Sequence, residues 1–590
     1  MSMASLVLAV PLGDRARLTA EQRSLFAGLA GLMESPERRH AAWMEAAWID
    51  GDRSSLGARV AADPEAGLWL VFKGRIDNRR ELLSGGSSPG NDAELALALY
   101  KRFGVAAFER ILGPYACAVV EQRTRRVVMA RDRSAGRWLC FHRRDDVLWI
   151  ADRPAVLRGV TRNPSLDDET VRRFFQLQEP VPGATFFADV HEAPPGTVLV
   201  MDRDGETRET FPPLKVSDGV EDGRGWSDAA WEARFLSHLD AAVGRRMGLD
   251  HGPGESPAVL MSGGLDSTAI AALTAGRLEK PLTTVSWIFQ ATPEADERPY
   301  IDSVNRHLSS RPLAVDGDSA VPEPEMLRPS PDGPFEGPYR LLRRRTYERL
   351  ASSRRVLFTG EMGDELLATG DRWLGSLLRR GRGGEALGEI GSVIRRCRGL
   401  RGTGLRGALR QCLRPAPAGK PDTLSPFSTW PCHLEAVEAA GYGLEIRRPF
   451  LDAALRAFVH SMPAHLIHRP GRPKRILRRA LRNRLPAEVL QRSWSSTLLP
   501  LPRRFIQRHG PELWNSLLKT PQSRVFDHVD PAQLESLLRG RALCVERDGP
   551  LWVVVWRSLI FELWYRRNID SMGSAADAPS TRLQVASAVA

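Results

Sequence analysis

The stretch AVLMSGGLDSTAIAAL, Ala258–Leu273, contains the features that decide the fold of the larger part of this chain. Its apolar start predicts a buried strand, and the segment from Leu265 onward predicts a helix. Between them, Gly263 and Gly264 allow the sharp turn that joins a strand to a helix. The exposed amides of such a turn, together with the helix start, can accept an anion. The pattern therefore predicts a strand-turn-helix unit with an anion site.

Polar side chains around this turn indicate which anion it holds. Ser262 and Ser267 add hydroxyl donors, whereas Asp266 brings a negative charge into the loop. A carboxylate beside phosphates makes sense when a cation such as magnesium lies between them. The common phosphate loop, GxxxxGK followed by Ser or Thr, needs a lysine that this turn lacks. A Gly-Gly turn is often only a turn, and the similar LLSGGSSPG at Leu82–Gly90 is interpreted as a loop.

Composition places the chain in a broad class. Its 590 residues predict at least two domains, and 42% hydrophobic with 26% charged residues is typical of soluble globular proteins. The net charge of +12 favours acidic partners such as nucleotides or acidic peptides, but no zinc-finger spacing or basic region before heptads predicts nucleic-acid binding. The six cysteines form no CxxC pair, which favours a reducing cytoplasm over a zinc site or disulfides. No apolar segment reaches the roughly 20 residues of a membrane span.

Hydrophobic periodicity divides the chain into regions of different architecture. Short alternating segments predict a mostly antiparallel β-sheet domain in residues 1–211, and a segment rich in Pro, Gly and Asp at 212–226 is interpreted as a linker. From 227 to 570, strands separated by helices predict a parallel sheet with helices on its faces, interrupted by a basic insertion at 372–425. LWVVVWRSLIFELWYRRN predicts a buried helix, and residues 571–590 predict a disordered tail.

A second strand, in VLFTGEMGDELLATG at Val356–Gly370, also ends in a glycine-containing turn, here with three acidic residues. Favourable interaction with the helix dipole explains one or two of them. Because ligands bind at the carboxyl ends of parallel strands, Asp364 is also a candidate partner for Asp266. Further on, Lys474 is the only lysine in the arginine-filled helix predicted for GRPKRILRRALRNRLP, which indicates a role for a compact point charge.

Four segments, SGGLDS, GEMGDE, GLEIRRPFLD and PKRILRRAL, resemble in order and approximate spacing the motifs of the asparagine synthetase superfamily. Members of this superfamily adenylate a carboxylate with ATP. The resemblance covers about residues 226–570. It implies a C-terminal parallel-sheet α/β ATP-pyrophosphatase domain, like those of adenine nucleotide alpha hydrolases, and an N-terminal Ntn-type β-sandwich like a glutaminase. The implied cofactors are ATP and Mg²⁺.

The resemblance also assigns roles to residues of these motifs. Asp266 and Asp364 would hold magnesium, Glu361 would line the acyl and amine site, and Lys474 would neutralise charge on the α-phosphate or the tetrahedral intermediate. Lys474 and Glu361 are thus the expected catalytic residues. The residues expected to bind ATP, through its phosphates or its adenosine, are Met261, Ser262, Gly263, Gly264, Asp266, Ser267, Trp287, Thr359 and Gly360.

This set of residues suits amide-bond synthesis. A carboxylate is too poor an electrophile to condense with an amine in water. Attack of the carboxylate on the α-phosphorus of ATP gives an acyl adenylate, and magnesium held by two carboxylates stabilises the leaving pyrophosphate. An amine then displaces AMP.

The segments LVFKGRIDNRREL, GNDAEL, LGPYACAVV and VVMARDRSAGRWLCFH resemble the glutaminase domain of the same superfamily. A working glutaminase needs a cysteine directly after the initiator methionine, where the free amine can serve as base. Ser2 occupies that place, and the first cysteine is Cys117. The oxyanion turn, usually Asn-Gly, reads Lys73-Gly74. We therefore expect an inactive glutaminase-like domain.

Loss of ammonia production predicts an amine that already belongs to the substrate, as in β-lactam synthetases and lasso peptide cyclases. Gly370, near a place where small-molecule enzymes often carry an aromatic residue, favours a roomier acyl site, and the basic insertion suits a peptide or is merely solvated. The preferred prediction is a lasso-type macrolactam synthetase that joins the N-terminal amine of a linear core peptide to an Asp or Glu side chain. A leader peptidase and a leader-binding protein are candidate partners. The alternatives are a β-lactam-type or ammonia-dependent asparagine synthetase, and a catalytically silent nucleotide-binding scaffold.

Overall fold

The computed structural model of the chain describes residues 6–12, 18–30, 37–41, 44–48, 57–83, 90–134, 136–161, 165–214, 226–248, 256–367, 377–378, 381–388, 426–467, 473–492, 497–520, 523–539 and 549–570. Most of the predicted linker and of the basic insertion at 372–425 lies outside these ranges. The tail predicted for 571–590 lies wholly outside them.

Two antiparallel sheets, each with six strands among the described residues, face each other in the first half of the chain. The first strand shows the alternation that builds this sandwich. Leu6, Leu8 and Val10 lie in the core between the sheets, while Val7 and Ala9 belong to the core on the opposite face. The strands are β1 Leu6–Pro11, β2 Glu37–Ala41, β3 Met44–Trp48, β4 Ala58–Asp63, β5 Leu68–Gly74, β6 Tyr115–Glu121, β7 Arg126–Arg131, β8 Cys140–Arg144, β9 Val147–Ala151, β10 His191–Glu192, β11 Thr197–Met201 and β12 Glu206–Thr210.

Each layer of the sandwich is one sheet with its own strand order. One sheet runs β10-β8-β9-β1-β3-β2 and the other runs β12-β11-β7-β6-β5-β4. Helices cover the outer faces, so that the sandwich has four layers. They are α1 Ala20–Ala30, α2 Arg79–Leu82, α3 Asp92–Phe103, α4 Ala107–Arg110, α5 Pro154–Leu157 and α6 Asp168–Phe175. This confirms the predicted N-terminal β-sandwich.

The second half of the chain contains a parallel sheet with five strands among the described residues, in the order β15-β14-β13-β16-β17. Its strands are β13 Ala258–Leu260, β14 Thr283–Ile288, β15 Arg311–Asp316, β16 Val356–Thr359 and β17 Glu445–Arg447. β14 and β15 follow β13 on one side of it, and β16 and β17 lie on its other side. The point where the order reverses, between β13 and β16, is where such sheets bind ligands at the carboxyl ends of their strands.

Helices pack on both faces of this parallel sheet, which confirms the predicted C-terminal α/β architecture. Trp231, Phe235 and Ile270 belong to the core on one face, and Tyr347 and Ala439 to the core on the other. The helices are α7 Asp228–Met247, α8 Leu265–Ala275, α9 Arg298–Leu308, α10 Arg340–Leu350, α11 Gly363–Leu367, α12 Pro426–Ala440, α13 Ala453–Ser461, α14 Ala464–Ile467, α15 Arg475–Ala480, α16 Ala487–Gln491, α17 Pro500–Leu513, α18 Pro531–Arg539 and α19 Gly549–Tyr565.

The last helix, α19, is the buried helix that the sequence predicts near the C-terminus. Trp556, Phe561 and Trp564 are buried in a core shared with the first half of the chain. Glu562 is fully buried, and its carboxylate accepts a hydrogen bond from Arg566 Nε at 2.8 Å and further bonds from two backbone amides. Across the described residues, no helix has both the length and the apolar character to cross a membrane.

Candidate active site at the switch point of the parallel sheet

The turns that follow β13 and β16 are in direct contact. A Cβ atom added to Gly360 would lie 2.5 Å from the backbone nitrogen of Ser267, and one added to Gly363 would lie 2.6 Å from Cγ of Asp266. Neither position therefore has room for a side chain. These two glycines bring the acidic turn Glu361–Glu365 against the start of α8.

The Ser-Gly-Gly turn after β13 is held by its own serines. Gly263 has a φ of +74°, in the left-handed region that favours glycine. The hydroxyls of Ser262 and Ser267 are 3.0 Å apart, and the Ser262 amide donates to Ser267 Oγ at 3.1 Å. Gly264 is the N-cap of α8 and has no side chain to cap the helix. The first amides of α8 are thus suited to an anionic ligand.

Lys474 joins the two acidic turns through its ammonium group. Its Nζ contacts Oδ2 of Asp266 and lies 2.7 Å from Oδ1 of Asp364. The sequence predicts Lys474 inside a helix, but α15 begins only at Arg475. Lys474 instead has a left-handed backbone with φ 55° and ψ 41°. This conformation is costly for a residue with a side chain, and residues held in it cluster at functional sites.

Asp266 has the environment of a cation ligand. Its burial raises its pKa to about 6, Asp364 and Glu365 add to this effect, and Lys474 opposes it. Among the described residues no donor reaches Asp266 Oδ1, which is buried. The Asp364 side chain is 82% exposed at the cavity. One buried carboxylate oxygen without a partner and one open carboxylate fit a hard divalent cation such as Mg²⁺.

Other metal sites do not emerge from the described part of the chain. Within it, no group of three or more His, Cys, Asp or Glu side chains is arranged to hold an ion. The two carboxylates of Asp266 and Asp364 would therefore need further oxygen ligands from phosphates or water, which is how Mg²⁺ is commonly held in nucleotide sites.

Glu361 is part of a buried ionic network that the sequence did not predict. Arg448 Nε donates to Glu361 Oε2 at 2.6 Å, and the same guanidinium pairs with Glu435. Glu435 also accepts from the Tyr347 hydroxyl at 2.9 Å and lies 3.4 Å from Arg343. Burial raises the pKa of Glu361, the neighbouring Glu435 adds to this, and Arg448 opposes it. The network fixes the Glu361 carboxylate at the cavity wall with 36% of its side chain exposed.

One cavity of about 650 Å³ collects most of the residues predicted from the sequence. Gly263 is the exception, since it does not line the cavity, but its carbonyl accepts a hydrogen bond from Arg492 at 3.3 Å. The indole nitrogen of Trp287 donates to the hydroxyl of Thr346 at 2.9 Å, and the ring forms part of the cavity wall. The predicted residues that line the cavity are Met261, Ser262, Gly264, Asp266, Ser267, Trp287, Thr359, Gly360, Glu361, Asp364 and Lys474.

Arginines in the wall of this cavity were missed by the sequence reasoning. Arg492 pairs with Glu297 and lies 4.2 Å from the ring centre of Tyr300, so that it braces the Ser-Gly-Gly turn from behind. Arg343 lines the cavity beside Glu361. Among so many arginines, no local pattern distinguishes these two. Arg448 lies within the quoted GLEIRRPFLD and could have been assigned from it.

The two cysteines described in the first half of the chain are both buried. Cys117 and Cys140 are fully buried, and burial raises the pKa of both thiols. Lys73, at the turn that reads Lys-Gly, is 1% exposed and pairs with the buried Asp152. Ser2, the residue at the expected nucleophile position, lies outside the described residues.

Two family models match this chain. The model described as asparagine synthase matches residues 234–421 and 438–566, which is more than half of the chain. The model described as a glutamine amidotransferase domain matches residues 51–212.

Individual relatives are more distant. A carboxyethyl-arginine β-lactam-synthase of Streptomyces clavuligerus is 29% identical over 290 residues, 47% of this chain and 48% of the relative, so the chain spans about half of that protein's length. Asparagine synthetase (glutamine-hydrolyzing) 1 of Bacillus subtilis is 21% identical over 572 residues, 85% of this chain and 86% of that one. A solved glutamine phosphoribosylpyrophosphate amidotransferase of B. subtilis, in complex with ADP and GMP, covers 53% of this chain and 60% of its own at 14% identity, with a TM-score of 0.22.

Proposed function

This chain belongs to the asparagine synthase family, and from that premise we propose that it is an ATP-dependent carbon–nitrogen ligase that forms AMP and pyrophosphate. The observation that carries the proposal is the junction of the two acidic turns, where Lys474 bridges Asp266 and Asp364 next to the Ser-Gly-Gly turn. A scaffold that only binds nucleotide has no need for this set of charges. The geometry therefore favours an enzyme over a silent scaffold.

ATP would bind with its triphosphate over the Ser-Gly-Gly turn and the start of α8. The amides of the turn and the hydroxyls of Ser262 and Ser267 would hold phosphate oxygens. Asp266 and Asp364 would hold Mg²⁺, which when bound supplies charge neutralisation to the leaving pyrophosphate. The cavity volume of about 650 Å³ is in the range of nucleotide-sized ligands.

The reaction would proceed in two displacements. A substrate carboxylate oxygen attacks the α-phosphorus of ATP, the bond between the α- and β-phosphates breaks, and pyrophosphate leaves. An amine then attacks the carbonyl carbon of the acyl adenylate, loses a proton, and AMP leaves. Lys474 would turn from its carboxylates toward the charge that develops on the α-phosphate and on the tetrahedral intermediate. Glu361, held by Arg448, would orient the incoming groups beside it.

The substrate that we propose is a peptide. Its Asp or Glu side chain would be adenylated and captured by its own N-terminal amine, which closes a macrolactam as in lasso peptides. An N-terminal amine has an ordinary pKa of about 8, so that a useful fraction is neutral near pH 7. Gly370, near a place where small-molecule enzymes often carry an aromatic residue, supports an acyl group larger than a free amino acid, and it lies outside the described residues.

A second candidate is formation of a small lactam ring. It is favoured by the similarity to a protein named carboxyethyl-arginine β-lactam-synthase. Both candidates use an internal amine, and neither needs ammonia from glutamine. In keeping with this, we propose that the first half of the chain hydrolyses no glutamine, since the cysteines described there are buried with raised thiol pKa values.

Pyrophosphate release separates these candidates. The full chain is given Mg²⁺ and ATP with one of three substrates: a linear core peptide, carboxyethyl-arginine, or aspartate with ammonium. Release with the peptide alone, and a product that has lost one water, supports the macrolactam. Release with carboxyethyl-arginine favours the small ring, and release with aspartate and ammonium overturns both. If none of the three substrates causes pyrophosphate release, the result favours a scaffold that only binds nucleotide. Formation of glutamate from added glutamine would contradict the proposal that the first half is inactive.

A further inference from the structure

A second cavity lies beside the site and is not used by the proposed reaction. Its volume is about 790 Å³. Arg343 lines both cavities, so that they share one wall. The second cavity is defined by residues of α12 and α19 and by the segment RPSPDGPFEGP, Arg328–Pro338.

The shared wall is the ionic network that holds Glu361. Glu361 lines the first cavity and Glu435 lines the second, while Arg448 pairs with both of them. Arg343 lies 3.4 Å from Glu435. A substrate that occupied both cavities would therefore have to pass Arg343, and an extended chain advances about 3.3–3.6 Å per residue.

Four aromatic side chains line the second cavity, together with five prolines, five arginines and three glutamates. The rings of Phe335 and Phe174 have centres 6.3 Å apart in an edge-to-face arrangement. Trp552 and Trp556 line the cavity from helix α19. Trp556 is fixed, because its indole nitrogen donates to the carbonyl of Glu336 at 2.6 Å. Aromatic walls of this kind recognise another aromatic or a flat amide group, and edge-to-face pairs contribute beyond area burial.

The proline-rich segment makes this wall stiff before any ligand binds. Its four prolines restrict the backbone and remove amide donors, so that its carbonyl groups and Phe335 form the surface. Asp332 anchors it by accepting from Arg153 Nε at 2.7 Å and from the Ala155 amide at 3.2 Å. A cavity that is formed in advance binds its ligand without the cost of ordering its walls.

We infer that the second cavity is the binding site for the remote part of the acyl substrate, an aromatic side chain with its flanking peptide groups. This inference rests on the proposed function, because the carboxylate of the same substrate would lie beyond Arg343, next to Glu361. An aromatic residue near the acylated Asp or Glu would thus be selected by Phe335, Trp552 and Trp556. Binding energy gained there would hold the carboxylate beside the α-phosphate.

Two matched substitutions on α19 test the site. Val553 lines the second cavity, whereas its neighbour Val554 does not, and both are half-buried. Val553→Trp fills the cavity and Val554→Trp is the control. Leu434→Trp, from the opposite wall on α12, is a second filling variant in case Val553→Trp does not fold. Circular dichroism and thermal unfolding identify the folded variants.

The probes are N-acetyl-Phe-Asp-amide and N-acetyl-Gly-Asp-amide, with Mg²⁺, ATP and hydroxylamine as the amine. We expect pyrophosphate release with the Phe probe to have at least tenfold higher kcat/KM than release with the Gly probe. Val553→Trp or Leu434→Trp should reduce this ratio to below threefold, through the Phe probe only, and Val554→Trp should keep it. A ratio near one in the native chain, or an unchanged ratio in both filling variants, overturns the inference.

A binding measurement separates this inference from the proposed chemistry. The dye 8-anilinonaphthalene-1-sulfonate fluoresces in apolar aromatic cavities, and the Phe probe should displace it from the native chain and from Val554→Trp. The filling variants should bind the dye at least fivefold more weakly. Displacement without any pyrophosphate release would contradict the proposed reaction and support the binding site. Dye binding that is equal in all variants would overturn the site, whatever the reaction does.

Discussion

Lys474 is a cation held between two carboxylates in a left-handed backbone conformation. Burial alone would lower the pKa of Lys474, yet Asp266 and Asp364 raise it, so the side chain stays charged. A charged group that is fixed in advance near a developing negative charge stabilises a transition state more than water does. At the scale of single residues, Lys474 and Asp266 are the side chains on which the proposed reaction depends most.

We predict that Lys474→Ala and Asp266→Ala each lower kcat for pyrophosphate release by about 10²–10³-fold, the range found when one preorganised electrostatic group is removed from an active site. Circular dichroism should show an unchanged fold. Lys519→Ala, at an exposed lysine on the same half of the chain, is the control and should keep its rate. Normal turnover in one of these variants would remove the substituted residue from the mechanism.

Glu336 gives a prediction for the dependence of stability on pH. It is 8% exposed, and burial raises its pKa from 4.5 to about 7, with Arg340 opposing the shift. The pKa of Glu336 is higher in the folded than in the unfolded chain. The contribution of this group to stability is therefore fully present below about pH 4.5 and is lost as the pH rises through 7. The loss amounts to about 3 kcal/mol at most.

We expect Glu336→Gln to remove this loss. The melting temperature of the native chain should fall relative to that of Glu336→Gln between pH 4.5 and 8, as followed by calorimetry. Glu325→Gln, at an exposed position of the same region, is the control and should follow the native chain. A constant difference between native chain and Glu336→Gln across this range would show that Glu336 does not titrate there.

At the scale of elements, the site exists because two strand-to-helix turns touch. β13 and β16 are parallel neighbours with Leu260 opposite Thr359, which sets both turns at one edge of the sheet. Gly360 and Gly363 then let the backbones approach within contact distance of Ser267 and Asp266. A side chain at either glycine would separate the two acidic turns.

We predict that Gly360→Ala lowers pyrophosphate release at least tenfold. The new methyl group would lie 2.5 Å from the Ser267 nitrogen, and a backbone atom in α8 cannot move aside as a flexible side chain can. Overpacking of this kind costs about 1–3 kcal/mol, so the melting temperature should fall as well. Gly383→Ala, where a Cβ meets nothing within 4 Å, is the matched control. An unchanged rate in Gly360→Ala would mean that the spacing of the turns is unimportant.

Elements with strong patterns were predictable, and short or exposed ones were not. The apolar segments of β13 and β16, which lead into the two glycine-containing turns, are confirmed. β15 was missed because it reads RPLAVD, begins with exposed residues and lies at the edge of the sheet. β17 was missed because two of its three residues, EIR, are charged, and it forms by pairing with β16. Tertiary pairing, rather than local propensity, makes such strands.

At the scale of the whole molecule, ion pairs join the first half of the chain to the candidate active site. Arg75 in the first half pairs with Glu445 at the start of β17, and Arg447 lies 2.8 Å from the same carboxylate. Burial alone would raise the pKa of Glu445, yet Arg447 and Arg75 hold it well below its ordinary value. Arg448, the next residue, holds Glu361. The first half of the chain thus supports the strand that leads directly into Arg448.

We predict that Arg75→Met lowers the unfolding free energy by about 1–3 kcal/mol, because it leaves a buried carboxylate with one partner fewer. The rate of pyrophosphate release should fall severalfold with it, as Arg448 loses its support. Arg208→Met, at an exposed pair with Glu206 in the same half, is the control. A destabilised Arg75→Met with an unchanged rate would mean that the first half is structural only.

The sequence by itself determined the class of fold, the two acidic turns and Lys474, because these depend on local patterns: apolar strands, glycines at the turns, and charged residues directly after them. Tertiary structure alone decided how they combine. Lys474 meets Asp266 across 208 residues of sequence, and Glu361 meets Arg448 across 87. The network of Arg343, Glu435 and Arg448 and the second cavity behind it arise from such distant contacts, which no local pattern encodes, since each partner is chosen by the packing of whole elements.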